Sequence, residues 1–275
     1  MPPVVGHEIR AQRWPYVTIS LVALNVAVFV FELTFGSHFV AFVQQWGFIP
    51  ARFGAGVTGH EVATLATATF LHIGSMQLAL DVVFLAVFGD PLEEALGHWW
   101  FLFVYVAGGL VALLMLAAAA SGSVVPAMGA GGAVAAVLGA GVVVWPRARI
   151  GAPAIVISLG VLLVVYVAMI TIGVPGMILG GPALFVVGIL ATIAMTRKGG
   201  NALVALLRTV EVPAYMVLIL FLTMSVLAGL FVLAPTAYAH GVTWWAQIAG
   251  CGAGALLGAI VPKHPRPLRA RALLD

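Results

Sequence analysis

Two apolar stretches of this sequence are interrupted by residues that could do chemistry. Asp81 follows Gln77 by four residues, a spacing that places both side chains on one face of a helix. An acid inside an apolar segment indicates a proton or ion site, unless neighbouring helices or trapped water simply satisfy a polar pair. Gly129, Gly131 and Gly132 crowd the predicted start of another apolar helix, where free backbone N–H groups suit either an anion or close packing.

The composition indicates a polytopic membrane protein. Of the 275 residues, 63% are hydrophobic and 8% are charged, whereas soluble domains have roughly 25% charged residues. The net charge of +3 follows from basic residues that membrane topology explains, so we predict no nucleic-acid partner. The single cysteine, Cys251, excludes an internal disulfide and a cysteine metal site, and we expect no metal and no cofactor.

Eight stretches are apolar over about the 20 residues that a helix needs to cross a bilayer. Because backbone groups in lipid must find partners within their own segment, we predict an all-α polytopic membrane protein with eight transmembrane helices. The first span lacks a small-residue cleavage site, which favours an uncleaved helix over a signal peptide. The predicted spans are residues 16–35, 74–92, 98–119, 126–145, 152–172, 177–195, 213–234 and 243–261.

The basic residues set the predicted orientation, because cytoplasmic loops are enriched in Lys and Arg. With a cytoplasmic amino terminus, Arg52 lies outside and the other basic residues lie inside. An even number of spans then makes both termini cytoplasmic, and the arginine-rich composition favours the plasma (inner) membrane of a bacterium. The basic tail, residues 263–275, either follows this rule alone or also contacts anionic lipid headgroups. The inside set is Arg10, Arg13, Arg147, Arg149, Arg197, Lys198, Arg208, Lys263, Arg266, Arg269 and Arg271.

A series of short motifs, in order along the chain, resembles the rhomboid superfamily of intramembrane serine proteases. The motifs are Gly47-Phe48-Ile49-Pro50-Ala51, Thr69-Phe70-Leu71-His72, Phe88-Gly89 with Glu93 and Gly97, Tyr105 with Gly108 or Gly109, Gly129-Ala130-Gly131-Gly132-Ala133, Val212-Pro213-Ala214-Tyr215 and Trp245-Ala246-Gln247-Ile248-Ala249-Gly250. The resemblance covers most of the chain and implies a six-helix rhomboid-like bundle.

The sequence departs from the family at the four positions that carry its chemistry. Members use a serine nucleophile at the start of the fourth span, a histidine base on the last, and a histidine and an asparagine on the second that help to bind the oxyanion. By the resemblance these positions hold Gly131, Gln247, Gln77 and Asp81. Gly131 cannot form an acyl-enzyme, and Gln247 does not titrate near neutrality. An ionised Asp81 would repel a developing oxyanion. We therefore predict a degenerate site with no catalytic residue, that of a pseudoprotease.

Nearby polar residues leave an alternative open. Ser121 and Ser123 precede the glycine cluster and would be candidate nucleophiles of a rearranged site, although no motif places His72 or His98 opposite them. We expect His72 to hydrogen-bond the loop over the bundle and Glu93 to tie together the cytoplasmic turn. The predicted cavity is lined by Gln77, Asp81, Gln247 and His72.

Small residues and an insertion complete the predicted architecture. Gly250, Gly254 and Gly258 form a small-xxx-small ladder that lets the last span press against the helix that opens at Gly129 and Gly132. The family passes almost directly from the fourth span to the next, so the intervening segment here resembles an inserted helical hairpin. Part of it, residues 199–211, is predicted as a short interfacial helix. The predicted units are residues 1–15 (cytoplasmic segment), 16–146 (spans 1–4), 147–211 (inserted hairpin with cytoplasmic connector), 212–262 (last two spans) and 263–275 (basic tail).

Three functions are compatible with these features. The first, implied by the resemblance to inactive superfamily members, is a catalytically inactive protein that binds transmembrane segments of client or partner proteins and contacts membrane lipids. The second is an active intramembrane serine endopeptidase with a non-standard site. The third is a transporter or lipid-handling protein that uses Asp81. No inverted repeat supports the third.

Overall fold

The computed structural model describes residues 14–146, 149–153, 209–230 and 243–262. In these ranges the regular secondary structure is helical apart from two short strands, and loops connect the elements. In chain order the elements are α1 (Tyr16–Leu33), a 3-10 turn (Gly36–His38), α2 (Phe39–Trp46), α3 (Pro50–Ala55), α4 (Gly59–Thr67), α5 (Ser75–Leu96), α6 (His98–Ala119), α7 (Gly131–Val144), β1 (Arg149–Pro153), β2 (Thr209–Pro213), α8 (Ala214–Leu230) and α9 (Thr243–Ile260). The predicted span 177–195 and nearly all of the span 152–172 lie outside the described residues.

Two of the described helices are long and apolar enough to cross a membrane. They are α1, with a mean hydropathy of 2.0, and α6, with a mean hydropathy of 2.5. Helix α7 and the segment Trp245–Ile260 of α9 are apolar but shorter. Helix α5 has 22 residues, but its hydropathy is lowered by Asp81, Asp90, Glu93 and Glu94. The count of eight spans therefore stays a prediction.

Helix α7 lies at the centre of the bundle. Ten of its residues are buried, and it packs against α5, α6, α8 and α9. Its sequence is made of Gly, Ala, Val and Leu, and such small side chains let neighbouring backbones approach closely in a membrane. On α6, a Cβ added to Gly108 would lie closer than 3.0 Å to the Cβ of Ala136. The sequence of α7 therefore fits a helix that its neighbours enclose along most of its length.

Helix α9 runs parallel to α7 along the ladder of Gly250, Gly254 and Gly258. These three glycines face Gly132, Ala136 and Ala140 in turn, and a Cβ on any of the three would approach the facing residue closer than 3.0 Å. The ladder holds the two backbones in direct contact. It therefore also fixes the position of Gln247 along the helix axis relative to Gly131.

The long connection after α1 packs against the entrance to α7. Phe48 and Ala127 form an antiparallel bridge through two backbone hydrogen bonds, of 3.0 and 2.7 Å, and the Gly129 N–H donates to the Ala68 carbonyl. Residues 126–130 therefore precede α7, although the predicted span began at residue 126. The reason is that Ala127 is used by the bridge and that Gly129 adopts a φ of 123°, which only glycine takes easily.

An antiparallel strand pair was not predicted. β1 pairs with β2 from Arg149↔Pro213 to Pro153↔Thr209. The predicted interfacial helix 199–211 is wrong at its end, because residues 209–211 belong to β2, and the boundaries at residues 152 and 212 fall within strands. Alternating β-branched residues such as Val210 and Val212 favour this conformation. The strands bring together the two ends of the segment 154–208.

Glu93 links the turn between α5 and α6 to the start of α1. Its carboxylate accepts hydrogen bonds from the backbone N–H groups of Val17 and Thr18, at 2.9 and 2.7 Å, and from the Thr18 hydroxyl at 2.7 Å. The imidazole of His98 contacts the same carboxylate. Gly97 makes the one-residue turn with a φ of 83°. A buried carboxylate at the amino end of α1 also satisfies N–H groups that have no partner within the helix.

Candidate functional site

The first turn of α7 faces polar side chains of α5 and α9. A Cβ built on Gly131 would lie 2.7 Å from Nε2 of Gln247 and 3.7 Å from Oδ1 of Asp81. A Cβ on Gly129 would meet Gln77 closer than 3.0 Å and would lie 3.9 Å from Oδ2 of Asp81. The four positions at which the sequence departs from the family pattern therefore meet at one corner of the bundle, and the amide of Gln247 occupies the space beside Gly131.

Gln77 connects α5 to the segment that precedes α7. Its Nε2 donates to the Met128 carbonyl oxygen at 3.1 Å, and its Oε1 accepts from the Ile73 N–H at 3.1 Å. Both ends of the amide are thereby used by backbone groups. Gln77 therefore holds the two segments together. Because both ends of its amide bond the backbone, the amide is not directed at a substrate.

Asp81, His72 and Glu32 form a buried chain of ionisable groups. Nε2 of His72 lies 3.5 Å from Oδ2 of Asp81, and Nδ1 lies 3.0 Å from the Phe70 carbonyl oxygen. Since a carbonyl only accepts, Nδ1 carries a proton and Nε2 faces the carboxyl. The backbone N–H of His72 donates to both carboxylate oxygens of Glu32, at 3.0 and 3.2 Å. His72 thus does bond within its loop, and it also contacts the acid of α5.

Glu32 is the member of this chain that the sequence analysis missed. It is 2% exposed and lies in the last turn of α1. The signal that could have found it is the one applied to Asp81, an acid within an apolar span. It was overlooked because Glu32 stands near the end of the predicted first span, where an acid is expected to reach the membrane surface.

Several polar atoms around this corner are buried without a hydrogen-bond partner among the described residues. They are Oδ2 of Asp81, Nε2 of His72, Oε1 of Gln247, Oδ1 of Asn25 and the hydroxyl of Tyr105. Buried polar groups normally find partners. The corner is therefore a polar region within an otherwise apolar core.

The two candidate serines lie away from both candidate histidines. Ser121 is exposed, and the hydroxyl of Ser123 accepts from the Val125 N–H at 3.3 Å. His98 begins α6 and the serines follow its end, so a 22-residue helix, about 33 Å long, separates them. His72 directs its ring at Phe70 and Asp81. The geometry assembles no serine–histidine pair from these residues.

The arrangement supplies carboxyl, imidazole and amide groups and no nucleophilic side chain at residue 131. In the described part of the chain no group of three or more His, Cys, Asp or Glu side chains is placed to hold a metal ion. The chemistry open to the corner is therefore hydrogen bonding, ion pairing and proton exchange.

A family model described as the Rhomboid domain matches residues 59–198, just over half of the chain. The matched range includes Gln77, Asp81 and Gly131 and ends before Gln247. Comparison with curated proteins found no match, and comparison with solved structures found none. The motifs, the helical bundle with its apolar helices and the matched range agree, and the chain belongs to the Rhomboid family of membrane-embedded proteins.

Proposed function

We propose that this chain is a catalytically inactive rhomboid-like membrane protein that binds transmembrane segments of client or partner proteins. The observation that carries the proposal is the contact between Gly131 and Gln247. The position of the nucleophile has no side chain, and the amide that faces it cannot take up a proton near neutral pH. The Asp81 carboxyl beside them is unsuited to a developing oxyanion.

Client binding is supported by the polar corner and by the family. Transmembrane helices associate through close packing and through hydrogen bonds between polar side chains. Asp81 and Gln247 present polar atoms without partners among the described residues, and these would be satisfied by a helix that carries polar residues. The resemblance implies the same role, since inactive relatives bind membrane clients and affect their stability, assembly or trafficking.

The membrane topology of the chain is also part of this proposal. Both termini are cytoplasmic, eight spans cross the plasma membrane of a bacterium, and the inserted segment keeps the last two spans in the orientation of the family. The positive-inside distribution of Lys and Arg supports this arrangement. Single cysteines at the exposed positions Ser37 and Trp99, in a Cys251→Ala background, test it: a membrane-impermeant thiol reagent should label only Ser37→Cys from outside.

Inactivity and client binding require separate measurements. The purified chain should not react with a fluorophosphonate probe and should not cleave a rhomboid transmembrane substrate. Labelling that disappears on replacement of Ser121 or Ser123 would instead establish the active protease. Crosslinking in cells followed by purification should recover the same membrane proteins at several expression levels, and recovery of none would contradict client binding.

The Glu32–His72–Asp81 chain favours proton or ion transport as the second candidate function. Intramembrane acids line many such pathways, and His72 contacts both acidic side chains through its backbone and ring. Reconstituted vesicles with a pH-sensitive dye would report a flux, and Asp81→Asn should abolish it. Vesicles without measurable flux would exclude this candidate.

A further inference from the structure

The unpartnered atoms around Gly131 are mainly hydrogen-bond acceptors. Asp81 is 5% exposed, and its Oδ2 has only the ion-pair contact with Nε2 of His72 at 3.5 Å and no hydrogen-bond partner in the described ranges. Oε1 of Gln247 is also buried without a hydrogen-bond partner there. Gln77 uses Nε2 on the Met128 carbonyl. Donors brought by a ligand would satisfy these two oxygens, Oδ2 of Asp81 and Oε1 of Gln247.

The charges around the corner are also unbalanced. The ionisable groups that face it are Glu32 from α1, His72 from the loop, Asp81 from α5 and the phenol of Tyr105 from α6, whereas α7 and the described part of α9 add none. One imidazole can balance only one of the two carboxylates. Asp81 lies beside the amino end of α7, where free N–H groups favour a negative charge. When both carboxyl groups are ionised, the cluster carries a net negative charge that a cation would balance.

We infer that the client segment carries a lysine or arginine at the depth of Gly131 and that Asp81 binds this charge. The inference rests on the proposed function and names the chemical class of the segment. Lys and Arg have long apolar stems that can bring a charge from a helix backbone into a bundle. Both offer several donors and no acceptor, which complements Asp81 and Gln247. Basic residues inside a membrane pair with acids or with backbone carbonyls, and Asp81 offers such an acid at this depth.

Synthetic helices test this inference with the full-length protein. Three leucine–alanine transmembrane peptides carry a dansyl group and a central Lys, Leu or Glu, and binding in lipid nanodiscs is followed by energy transfer from the tryptophans. The Lys peptide should bind at least about tenfold more tightly than the Leu peptide, because loss of one partner of a buried charge pair costs at least that much. Asp81→Asn should remove the preference, and Asp81→Lys should shift it to the Glu peptide.

Two controls separate charge from folding. Asp90→Asn removes a carboxyl from the other end of α5 and should keep the preference. Acetylation of the central Lys removes its charge without any change to the protein and should weaken binding to the level of the Leu peptide. Equal binding of the Lys and Leu peptides, or a preference that persists in Asp81→Asn, would overturn the inference and leave client binding intact. Failure of every peptide to bind would overturn both.

Discussion

Gly254 of α9 packs in direct contact with the backbone of Ala136 in α7. A Cβ at residue 254 would come closer than 3.0 Å to the carbonyl oxygen, carbonyl carbon and Cα of Ala136. Backbone atoms cannot rotate out of the way as a side chain does. The contact therefore sets the distance between the two helices that carry Gly131 and Gln247.

Gly254→Ala should force α9 away from α7. Overpacking of this kind costs about 1–3 kcal/mol of folding free energy, and we expect a lower unfolding temperature of the purified protein in detergent. The loss should exceed the gain of up to about 1 kcal/mol that alanine brings to a helix in place of glycine.

Gly252→Ala is the matched control on the same helix. Gly252 is exposed, and a Cβ there would meet nothing within 4 Å. The substitution should leave stability unchanged or raise it slightly, because only the helix propensity changes. Equal destabilisation by both substitutions would contradict the contact between Gly254 and Ala136.

Gly131→Ser combined with Gln247→His should restore a reactive serine. The atom nearest to a Cβ at residue 131 is the end of the flexible Gln247 side chain, so a serine there would face an imidazole at residue 247. General-base help from histidine typically contributes 100-fold or more, and we expect fluorophosphonate labelling at least about tenfold above the unmodified chain. Gly131→Ala with Gln247→His is the control, since it lacks only the hydroxyl oxygen. Absence of labelling in a folded double variant would contradict the facing geometry.

Glu93→Ala should loosen the junction of α1, α5 and α6. The substitution leaves the half-buried N–H group of Val17 and the buried N–H group of Thr18 without an acceptor, at about 1–3 kcal/mol for each unsatisfied group. We expect a free energy of unfolding lower by about 3 kcal/mol, measured by denaturation in mixed micelles.

Thr18→Ala is the comparison for the loss of stability expected in Glu93→Ala. It removes one of the hydrogen bonds to Glu93 and keeps the backbone donors paired, so a loss of about 1 kcal/mol is expected. A Glu93→Ala variant no less stable than Thr18→Ala would show that the carboxylate does not hold the junction.

The sequence predicted the membrane class and the family, because apolar composition and ordered motifs depend on local pattern alone. The motif alignment also selected Gly131, Gln247, Gln77 and Asp81, which the structure brings to one corner. Glu32 escaped prediction because it stands near the end of the predicted first span, and its partner, the backbone of His72, is 40 residues away. The late start of α7 escaped it too, since the Phe48–Ala127 bridge is a tertiary contact that no periodicity reveals.

The strand pair β1–β2 makes the insertion itself testable. Pro153 and Thr209 are partners at the end of the ladder, so residues 154–208 leave and rejoin the described bundle at one place. A two-residue Asn-Gly turn fits between antiparallel strands, and replacement of 154–208 by this turn should give a folded protein. We expect one symmetrical peak in size-exclusion chromatography and an unfolding temperature close to that of the full chain. Removal of 149–213 is the control, because it also deletes both strands and should yield aggregated protein. Aggregation of the turn variant would mean that the segment 154–208 contributes to the core, in which case it is not an insertion.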